Sequence, residues 1–377
     1  MPLRPASASD LLIDGKQVAG SGGTFDIVNP ATEEIVGQAA DATAEDMSAA
    51  IAAARNAFDT TDWSRDHALR ARCLRQLRDA LLAHADEFRE ITVAEVGCPV
   101  FLTHGPQLEG PITDLGYFAD LAETYEWTRD LGEAKPMGLK NRRELRAEAA
   151  GVVGAITPWN FPHQINFAKI GPALAAGCTV VLKPAPDTPW CAALVGKVIA
   201  EETDFPPGVI NIVTSSDHAL GAQLATDPRV DIVSFTGSTA TGKKVMAAAS
   251  ESLKKVFLEL GGKSAFIVLD DADLASACSM AAFAVVTHAG QGCAITTRLL
   301  VPRSKLDEAI AITRDSLAGL AAGDPTDSGT ICGPVISAAQ RQRVESYIEL
   351  ARSEGGTIEI GGGRPLSLIH ISEPTRL

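Results

Sequence analysis

The stretch GVVGAITPWNFPHQINFAKIGPALAAGCTVVLK, residues 151–183, decides the fold of this chain. It opens with an apolar run at Gly151–Ile156 and continues into a helical pattern over Gln164–Ala176. A second apolar run, Thr179–Leu182, follows after a glycine turn. Short apolar runs that alternate with helices are typical of βαβ units, whose parallel strands are buried on both faces.

The same alternation continues toward the C-terminus. A helix through about Glu202 is followed by predicted strands at Val209–Val213 and Val230–Phe235. The sequence therefore predicts an α/β fold, with a Rossmann-like parallel-sheet domain and a second α/β domain after it. The charged segment Tyr125–Ala149 lacks helical periodicity, and we expect it to form a protruding β-hairpin.

The N-terminal part is predicted to begin with short strands and to continue into helices. Thr43–Asp46 resembles a capping box that opens a helix reaching about Phe58. A single long helix is expected from near Asp66 to just before Gly97. Its apolar stripe consists of the leucines at 74, 77, 81 and 82.

Composition and charge exclude several classes of function. A chain of 377 residues with 46% hydrophobic residues is predicted to fold into two or three globular domains. Its net charge of −14 disfavours binding to nucleic acid and to anionic membrane surfaces. Met1–Ser7 leads into no secretory signal, and no apolar run is long enough to cross a bilayer.

The seven cysteines predict neither a metal cage nor a disulfide framework, because their spacing is irregular and no C-x-x-C pair occurs. A reducing cytoplasm fits this usage best. Cys293 is set apart by its neighbours, since it lies between a glycine and an alanine in Gly290–Ala294. We expect this thiol to be accessible and the other six to be buried.

Three side chains in separate segments have the chemistry to form and hydrolyse a thioester. A thiolate at Cys293 attacks a carbonyl, an amide at Asn160 stabilises the oxyanion, and a carboxylate at Glu259 activates water. Two of the three have a plainer alternative: an outward, water-facing position for Glu259 in its apolar strand, and a turn amide for Asn160. His288 is close to the thiol in sequence but is not expected to pair with it.

A glycine turn, Gly237–Lys244, follows a predicted strand and opens a helix. It differs from a P-loop at its last position, where Lys244 replaces the hydroxyl that holds magnesium. A dinucleotide site, in which amides at a helix N-terminus meet a pyrophosphate, is the better interpretation, and an ordinary turn is the alternative. Lys183 ends a parallel strand and is expected either in the ligand crevice or at the surface.

The ordered segments together resemble the aldehyde dehydrogenase superfamily. They are Ile156–Pro162, Lys183-Pro184, Phe235–Ser238, Leu258–Ser264 and Gly290–Cys293. The resemblance implies that Cys293 is the nucleophile, Asn160 is in the oxyanion hole, and Glu259 is the hydrolytic base. It also implies cofactor contacts at Thr157, Pro158, Trp159, Lys183, Gly237, Ser238 and Gly242.

The implied reaction is the oxidation of an aldehyde to a carboxylic acid with NAD, and NADP is not excluded. Many NAD-preferring members carry a glutamate where this chain has Pro186. A CoA-acylating relative is disfavoured by Glu259, and a catalytically silent fragment or binding protein is the alternative from another class. Phe161, Ile165 and Phe167 are expected near the substrate entrance, which does not identify the aldehyde.

The resemblance also divides the chain. The NAD(P)-binding domain is expected at residues 1–124 and 150–261, with an oligomerisation hairpin at 125–149 that implies a homodimer or homotetramer. The catalytic domain is expected at 262–364. It would be incomplete, because the family continues into a Glu-x-Phe-Gly-Pro segment that is absent here, and residues 365–377 are expected to be a non-native tail.

Overall fold

The computed structural model describes residues 10–320 and 322–363, so the predicted tail at 365–377 lies outside the described residues. The strands are β1 (Leu11–Ile13), β2 (Lys16–Val18), β3 (Thr24–Val28), β4 (Ile35–Ala40), β5 (Thr128–Ala134), β6 (Asn141–Arg146), β7 (Val152–Ile156), β8 (Thr179–Lys183), β9 (Ile210–Ile212), β10 (Ile232–Gly237), β11 (Lys255–Leu260), β12 (Ser264–Ile267) and β13 (Thr296–Leu300). The helices are α1 (Ala44–Thr60), α2 (His67–Ala83), α3 (Ala85–Val96), α4 (Glu109–Thr124), α5 (Pro162–Ala175), α6 (Trp190–Glu202), α7 (Ala219–Thr226), α8 (Thr239–Ser250), α9 (Leu274–Val286), α10 (Leu306–Ala318) and α11 (Ala338–Ser353).

The principal sheet has the strand order β11-β10-β7-β8-β9-β1-β2. Strands β7 to β11 run parallel, as the sequence predicts, while β1 and β2 extend the sheet in antiparallel fashion. Neighbouring residues of β7 face different cores, since Val152 and Val153 belong to separate hydrophobic clusters. The strand is therefore buried on both faces, which explains why it is apolar without alternation.

The N-terminal helices confirm one prediction and correct another. Thr43 and Asp46 form the expected capping box at the start of α1. The predicted long helix is wrong, because it is broken at His84 into α2 and α3. Asp86 and Glu87 follow the break, and acidic residues stabilise a new helix N-terminus. Leu82 is 40% exposed, whereas the other three leucines of the stripe are buried.

The predicted β-hairpin is present as β5 and β6, an antiparallel pair with almost every residue exposed. Trp127 anchors its base. The indole Nε1 donates to the carbonyl of Ala122 at 3.0 Å, and the ring lies 5.0 Å from the buried guanidinium of Arg70. The hairpin therefore projects from a fixed root.

A second α/β unit follows the principal sheet. Strands β12 and β13 pair in parallel, and α9 and α10 pack with them around a small core that includes Val268 and Cys278. The domain boundaries given above remain a prediction. Among the described residues, none of the helices has the length and apolar character needed to cross a membrane.

Candidate active site

The sheet register brings the carboxyl ends of four parallel strands to one edge. Ile156 at the end of β7 is level with Lys183 on β8 and with Phe235 on β10. Thr236 on β10 is in turn level with Glu259 on β11. Ligands bind at the carboxyl edge of open parallel sheets, so this edge is the candidate site.

Cys293 lies in the loop that joins α9 to β13. It is half-buried, whereas the other six cysteines are buried and all seven are free, in agreement with the expected difference in access. Burial raises the pKa of Cys73 to about 12 and that of Cys332 to about 11. Such thiols stay protonated and are poor nucleophiles.

Asn160 is held at both ends by polar contacts. Its side-chain Nδ2 donates to the carbonyl of Gln291 at 2.6 Å, two residues before the cysteine. Its own carbonyl accepts hydrogen bonds from Gln107 Nε2 at 2.8 Å and from His288 Nε2 at 3.1 Å. Asn160 is therefore fixed beside the loop that carries the thiol, rather than being only a turn amide.

His288 contacts Asn160 and the ring of Phe161, with its centroid 5.5 Å from that ring. Burial lowers the pKa of His288 to about 4, while the hydrogen bond to Asn160 opposes the shift. The imidazole is therefore neutral at pH 7. Its bonded nitrogen donates to a backbone carbonyl, consistent with the expectation that it does not serve the thiol as a base.

Glu259 corrects the expectation of an apolar setting. Burial alternates along β11, an edge strand, and Glu259 is on the exposed side. The alternative that it faces water is the one observed. It is still near the cysteine loop in the topology, because β12 starts shortly after it and Ser264 pairs with Thr296, three residues after Cys293.

Lys169 on α5 is a buried cation close to this edge. Its Nζ donates to Ser234 Oγ at 2.9 Å and lies 5.7 Å from the ring centroid of Phe257. Burial lowers the pKa of Lys169 to about 8, and the charge of Glu259 opposes that shift. Glu259 therefore has a cationic neighbour whose protonation changes near neutral pH.

Lys183 is buried at the end of β8, so the alternative of a surface lysine is wrong. Its Nζ approaches the carbonyls of Pro184 and Ser215, each at 3.4 Å. Burial lowers the pKa of Lys183 to about 8, against the opposing charges of Asp217 and Asp41. An ammonium with long contacts at a sheet edge has hydrogen-bonding capacity left for a ligand.

The first segment predicted to contact the cofactor, Thr157-Pro158-Trp159, leaves β7 beside Lys183. Thr157 N–H donates to the Lys183 carbonyl at 3.2 Å, while the buried Thr157 Oγ1 has no hydrogen-bond partner within the described residues. Pro158 and Trp159 are half-buried. A buried hydroxyl without a protein partner fits a site that a polar ligand completes.

The glycine turn joins β10 to α8. Gly237 ends the strand, and Ser238 caps the helix by accepting a hydrogen bond from Thr241 N–H at 3.2 Å. Gly242 lies one turn further, where a Cβ atom would come within 2.7 Å of Leu260. The absence of a side chain there lets α8 pack on β11, and its contact with a cofactor remains a prediction.

Sequence reasoning missed three residues that organise the site: Gln107, Lys169 and Gln291. A signal was available for Lys169, a cation between Phe167 and Ile170 on an otherwise buried helix face. The two glutamines act on backbone groups distant in sequence, which no local pattern reveals. Phe161 and Ile165 are half-buried, but Phe167 is 1% exposed and packs in the core, so its expected place at the entrance is wrong.

Comparison with known proteins agrees with this geometry. The family model described as "Aldehyde dehydrogenase family" matches residues 17–375. The chain belongs to the aldehyde dehydrogenase family. This aldehyde dehydrogenase is accordingly an oxidoreductase of aldehydes that uses NAD(P), and the alternative of a non-enzymatic binding protein is not favoured.

Curated relatives are similar over most of this aldehyde dehydrogenase. The 3-succinoylsemialdehyde-pyridine dehydrogenase of Pseudomonas sp is 40% identical over 374 residues, which cover 97% of this chain and 76% of the relative. The mitochondrial succinate-semialdehyde dehydrogenase of Arabidopsis thaliana is 40% identical over 356 residues, covering 93% of this chain and 65% of the relative.

Solved structures have the same fold. The Mycobacterium tuberculosis aldehyde dehydrogenase complexed with NAD+ matches with a TM-score of 0.92 at 39% identity, covering 97% of this chain and 75% of that one. A cysteine-to-alanine mutant of aldehyde dehydrogenase C from Pseudomonas syringae, solved with NAD+ and octanal, matches with a TM-score of 0.92 at 34% identity. The match covers 99% of this chain and 76% of that chain.

Proposed function

We propose that this aldehyde dehydrogenase converts an aldehyde to a carboxylic acid through a thioester on Cys293. The observation that carries the proposal is the 2.6 Å hydrogen bond from Asn160 Nδ2 to the Gln291 carbonyl. It joins an amide donor to the loop of the half-buried cysteine, although the two are distant in sequence. A nucleophile and an oxyanion donor on facing segments are what acyl chemistry requires.

The first step is attack of the Cys293 thiolate on the carbonyl carbon of the aldehyde. A C–S bond forms, and the π electrons of the carbonyl move to its oxygen. Asn160 Nδ2 carries two hydrogens and donates one of them to the backbone carbonyl of Gln291. The second hydrogen is free to donate to the oxygen of the aldehyde. The backbone N–H of Cys293 is the second proposed donor. A donor of this kind contributes roughly 100- to 1000-fold to the rate.

The cofactor proposed is NAD, which accepts a hydride from the carbon of the thiohemiacetal when it is bound. The edge of the sheet fits such a dinucleotide, since Thr157 Oγ1 lacks a partner there within the described residues and the Lys183 ammonium has long contacts. Lys183 would hold the adenosine ribose, and Gly237 and Ser238 the pyrophosphate at the start of α8. NADP is the alternative cofactor, since Pro186 stands where NAD-preferring members of the family carry a carboxylate.

Hydrolysis of the thioester is assigned to Glu259. Its exposure keeps it in contact with water, which it would deprotonate for attack on the acyl carbon. The carbon–sulfur bond then breaks, which releases the carboxylic acid and regenerates the thiolate of Cys293.

The exposed hairpin and the free cysteines support a proposed assembly and a proposed location for the protein. The exposed hairpin β5–β6 is proposed to join subunits into a homodimer or homotetramer, and its apolar residues Leu131, Leu139 and Leu145 support this. A cytoplasmic location is proposed because all seven cysteines are free. Curated relatives include proteins named as mitochondrial and peroxisomal.

Replacement of the nucleophile tests the proposal. Cys293→Ala should abolish aldehyde-dependent formation of NADH, measured at 340 nm with a panel of semialdehydes and apolar aldehydes. Cys278→Ala, at a buried cysteine in α9, is the matched control and should retain activity. Turnover in Cys293→Ala equal to that of the wild type would contradict the assignment.

A further inference from the structure

The turn that precedes Cys293 has an unusual backbone. His288 and Ala289 both have a φ of 54°, and Gly290 has a φ of 72°. Residues other than glycine rarely adopt this left-handed region, and each costs roughly 1–2 kcal/mol relative to a right-handed conformation. Two such residues in succession, followed by a left-handed glycine, persist only where the surrounding contacts determine the loop.

The side chain of Gln291 supplies three of those contacts. Its Nε2 donates to the carbonyls of His288 and Pro334, each at 3.2 Å. Its Oε1 accepts a hydrogen bond from Ile336 N–H at 2.9 Å. One amide side chain thus closes the turn on itself and ties it to residues 334–336.

The segment to which Gln291 is tied is itself anchored. Val335 and Ile336 are buried, and Gly333 lies so close to the end of α3 that a Cβ atom would come within 2.5 Å of the Gly97 carbonyl. His288 N–H donates to the Ile331 carbonyl at 3.2 Å, which holds the turn from the other side. The side chain of Gln291 and its three hydrogen bonds therefore form a clamp, which fastens the strained turn to the segment 334–336.

The backbone of Gln291 makes a second connection, because its carbonyl accepts the 2.6 Å hydrogen bond from Asn160 Nδ2. This bond requires the nitrogen, and not the oxygen, of the Asn160 amide to face the cysteine loop. It also uses one of the two N–H groups and so fixes the direction of the other. The direction of the free N–H group of Asn160, the proposed oxyanion donor, therefore depends on the position of the Gln291 carbonyl.

We propose that Gln291 is a positioning residue that sets the Cys293 thiol and the Asn160 amide relative to each other. Its side chain fixes the loop against residues 334–336, and its carbonyl orients the amide of Asn160. The inference rests on the proposed function of Cys293 as the nucleophile. Gln291 itself needs no contact with the substrate.

The test compares Gln291→Met, which keeps side-chain length and removes all three hydrogen bonds, with Gln76→Met. Gln76 on α2 is a matched control because its amide also bonds at both ends, with Asp204. The first readout is the second-order rate constant for alkylation of Cys293 by iodoacetamide, followed by peptide mass spectrometry. Since the other cysteines are buried, the reaction reports on this loop without cofactor or turnover.

We expect Gln291→Met to change the alkylation rate constant of Cys293 at least threefold and Gln76→Met to leave it unchanged. In turnover, kcat should fall by about 100-fold, as expected for a displaced catalytic group, while the dissociation constant for NAD stays within twofold. If Gln291 had a purely structural role, Gln291→Met would lower thermal stability without lowering kcat selectively relative to NAD binding. Equal alkylation rates and equal kcat in Gln291→Met and wild type would overturn the proposal.

Gln291→Glu provides a milder second variant, in case Gln291→Met does not fold. It keeps the acceptor for Ile336 N–H and loses the two donated bonds, so we expect it too to change the alkylation rate constant of Cys293. The two proposals fail separately: a wild type without aldehyde turnover contradicts the proposed function, whereas a Cys293 alkylation rate unaffected by either Gln291 variant contradicts the clamp.

Discussion

At the scale of single residues, the proposed chemistry depends on side chains whose partners are mostly backbone groups. Asn160 and Lys183 contact carbonyls on segments distant in sequence. Such contacts hold a polar group in place without neutralising it. The side chain keeps spare donors for a ligand, which is the property that a preorganised site needs.

Glu259→Gln should separate acylation from hydrolysis. The amide keeps the size of the side chain but cannot deprotonate water. We expect a burst of NADH close to one equivalent per subunit, followed by a steady rate reduced at least about 100-fold. Stopped-flow absorbance at 340 nm measures both phases, and an unchanged steady-state rate would remove Glu259 from the role of base.

Lys183 should make cofactor binding depend on pH. With its pKa lowered to about 8 by burial, the ammonium loses its proton as the pH rises from 7 to 9. Hydrogen bonds from a charged donor are stronger than those from a neutral one, so the dissociation constant for NAD should rise over this interval. Titration calorimetry at several pH values measures it.

Lys183→Met is the variant that assigns this effect. Loss of a charged hydrogen bond costs roughly 1.5–3 kcal/mol, equivalent to a rise in the dissociation constant of about 10- to 100-fold. The pH dependence should disappear with the charge. A slope retained in Lys183→Met would mean that another group titrates.

Some features of single residues could be predicted from the sequence and others could not. Cys293 stands out by its small neighbours, a local signal, and it is the half-buried cysteine expected. For Glu259 and Lys183 the sequence left two positions open, because exposure depends on strand order and on which helices cover a strand end. The partners Gln107 and Gln291 follow only from the tertiary fold.

At the scale of elements, the turn before Cys293 stores backbone strain. Ala289→Gly removes a Cβ atom from a left-handed position and should raise the free energy of unfolding by up to about 1 kcal/mol. Gly290→Ala should lower it by about 1–2 kcal/mol. Urea denaturation measures both, with Ala272→Gly in another turn as a control expected to be neutral or slightly destabilising.

The packing of α3 against α5 predicts loss of stability in acid. His163 is buried, with an imidazole nitrogen 2.9 Å from Thr92 Oγ1, and burial lowers its pKa to about 3. Between pH 6.5 and 3 the unfolded chain binds a proton that the native state does not. The free energy of unfolding therefore falls as pH falls, by at most about 1.4 kcal/mol per pH unit for this group.

His163→Phe isolates that contribution, because it removes the titrating group. The difference in unfolding free energy between wild type and variant should change between pH 6.5 and 3 and be constant above this interval. Urea titrations at fixed pH values measure the difference. A constant difference over the whole range would show that His163 does not titrate as a buried neutral imidazole.

Element-scale predictions succeeded where signals were local. The capping box at Thr43 and the end of α3 at Gly97, whose φ is 68°, both follow from residue type. The break at His84 was missed because apolar residues continue at helical spacing beyond it, with Phe88 and Ile91 buried on α3. The acidic pair after His84 was the available sign of a second helix start.

At the scale of the whole molecule, the fold class was accessible from sequence because βαβ alternation leaves few topologies. The antiparallel addition of β1 and β2 was not accessible. It depends on the pairing of β1 with β9, which places Leu12 opposite Ile212, a residue 200 positions away in the sequence. The parallel strand order predicts which edge of the sheet carries the site. It does not predict the side-chain contacts at that edge.

The projecting hairpin predicts the assembly. Leu131→Ser combined with Leu145→Ser should shift the oligomer toward smaller species, since it makes an exposed apolar face polar. Sedimentation velocity measures the distribution, and Leu82→Ser, on an exposed helix face, is the control. If the double variant sediments as the wild type does, the hairpin is not the subunit contact.

The proposed mechanism requires that the acyl group form a thioester with Cys293. The most direct test is to mix Glu259→Gln with NAD and an aldehyde that the wild type oxidises, quench in acid, and map the modified peptide by mass spectrometry. We expect an added acyl mass on Cys293, present only when NAD is included. An acyl group on another residue, or none during NADH formation, would contradict it.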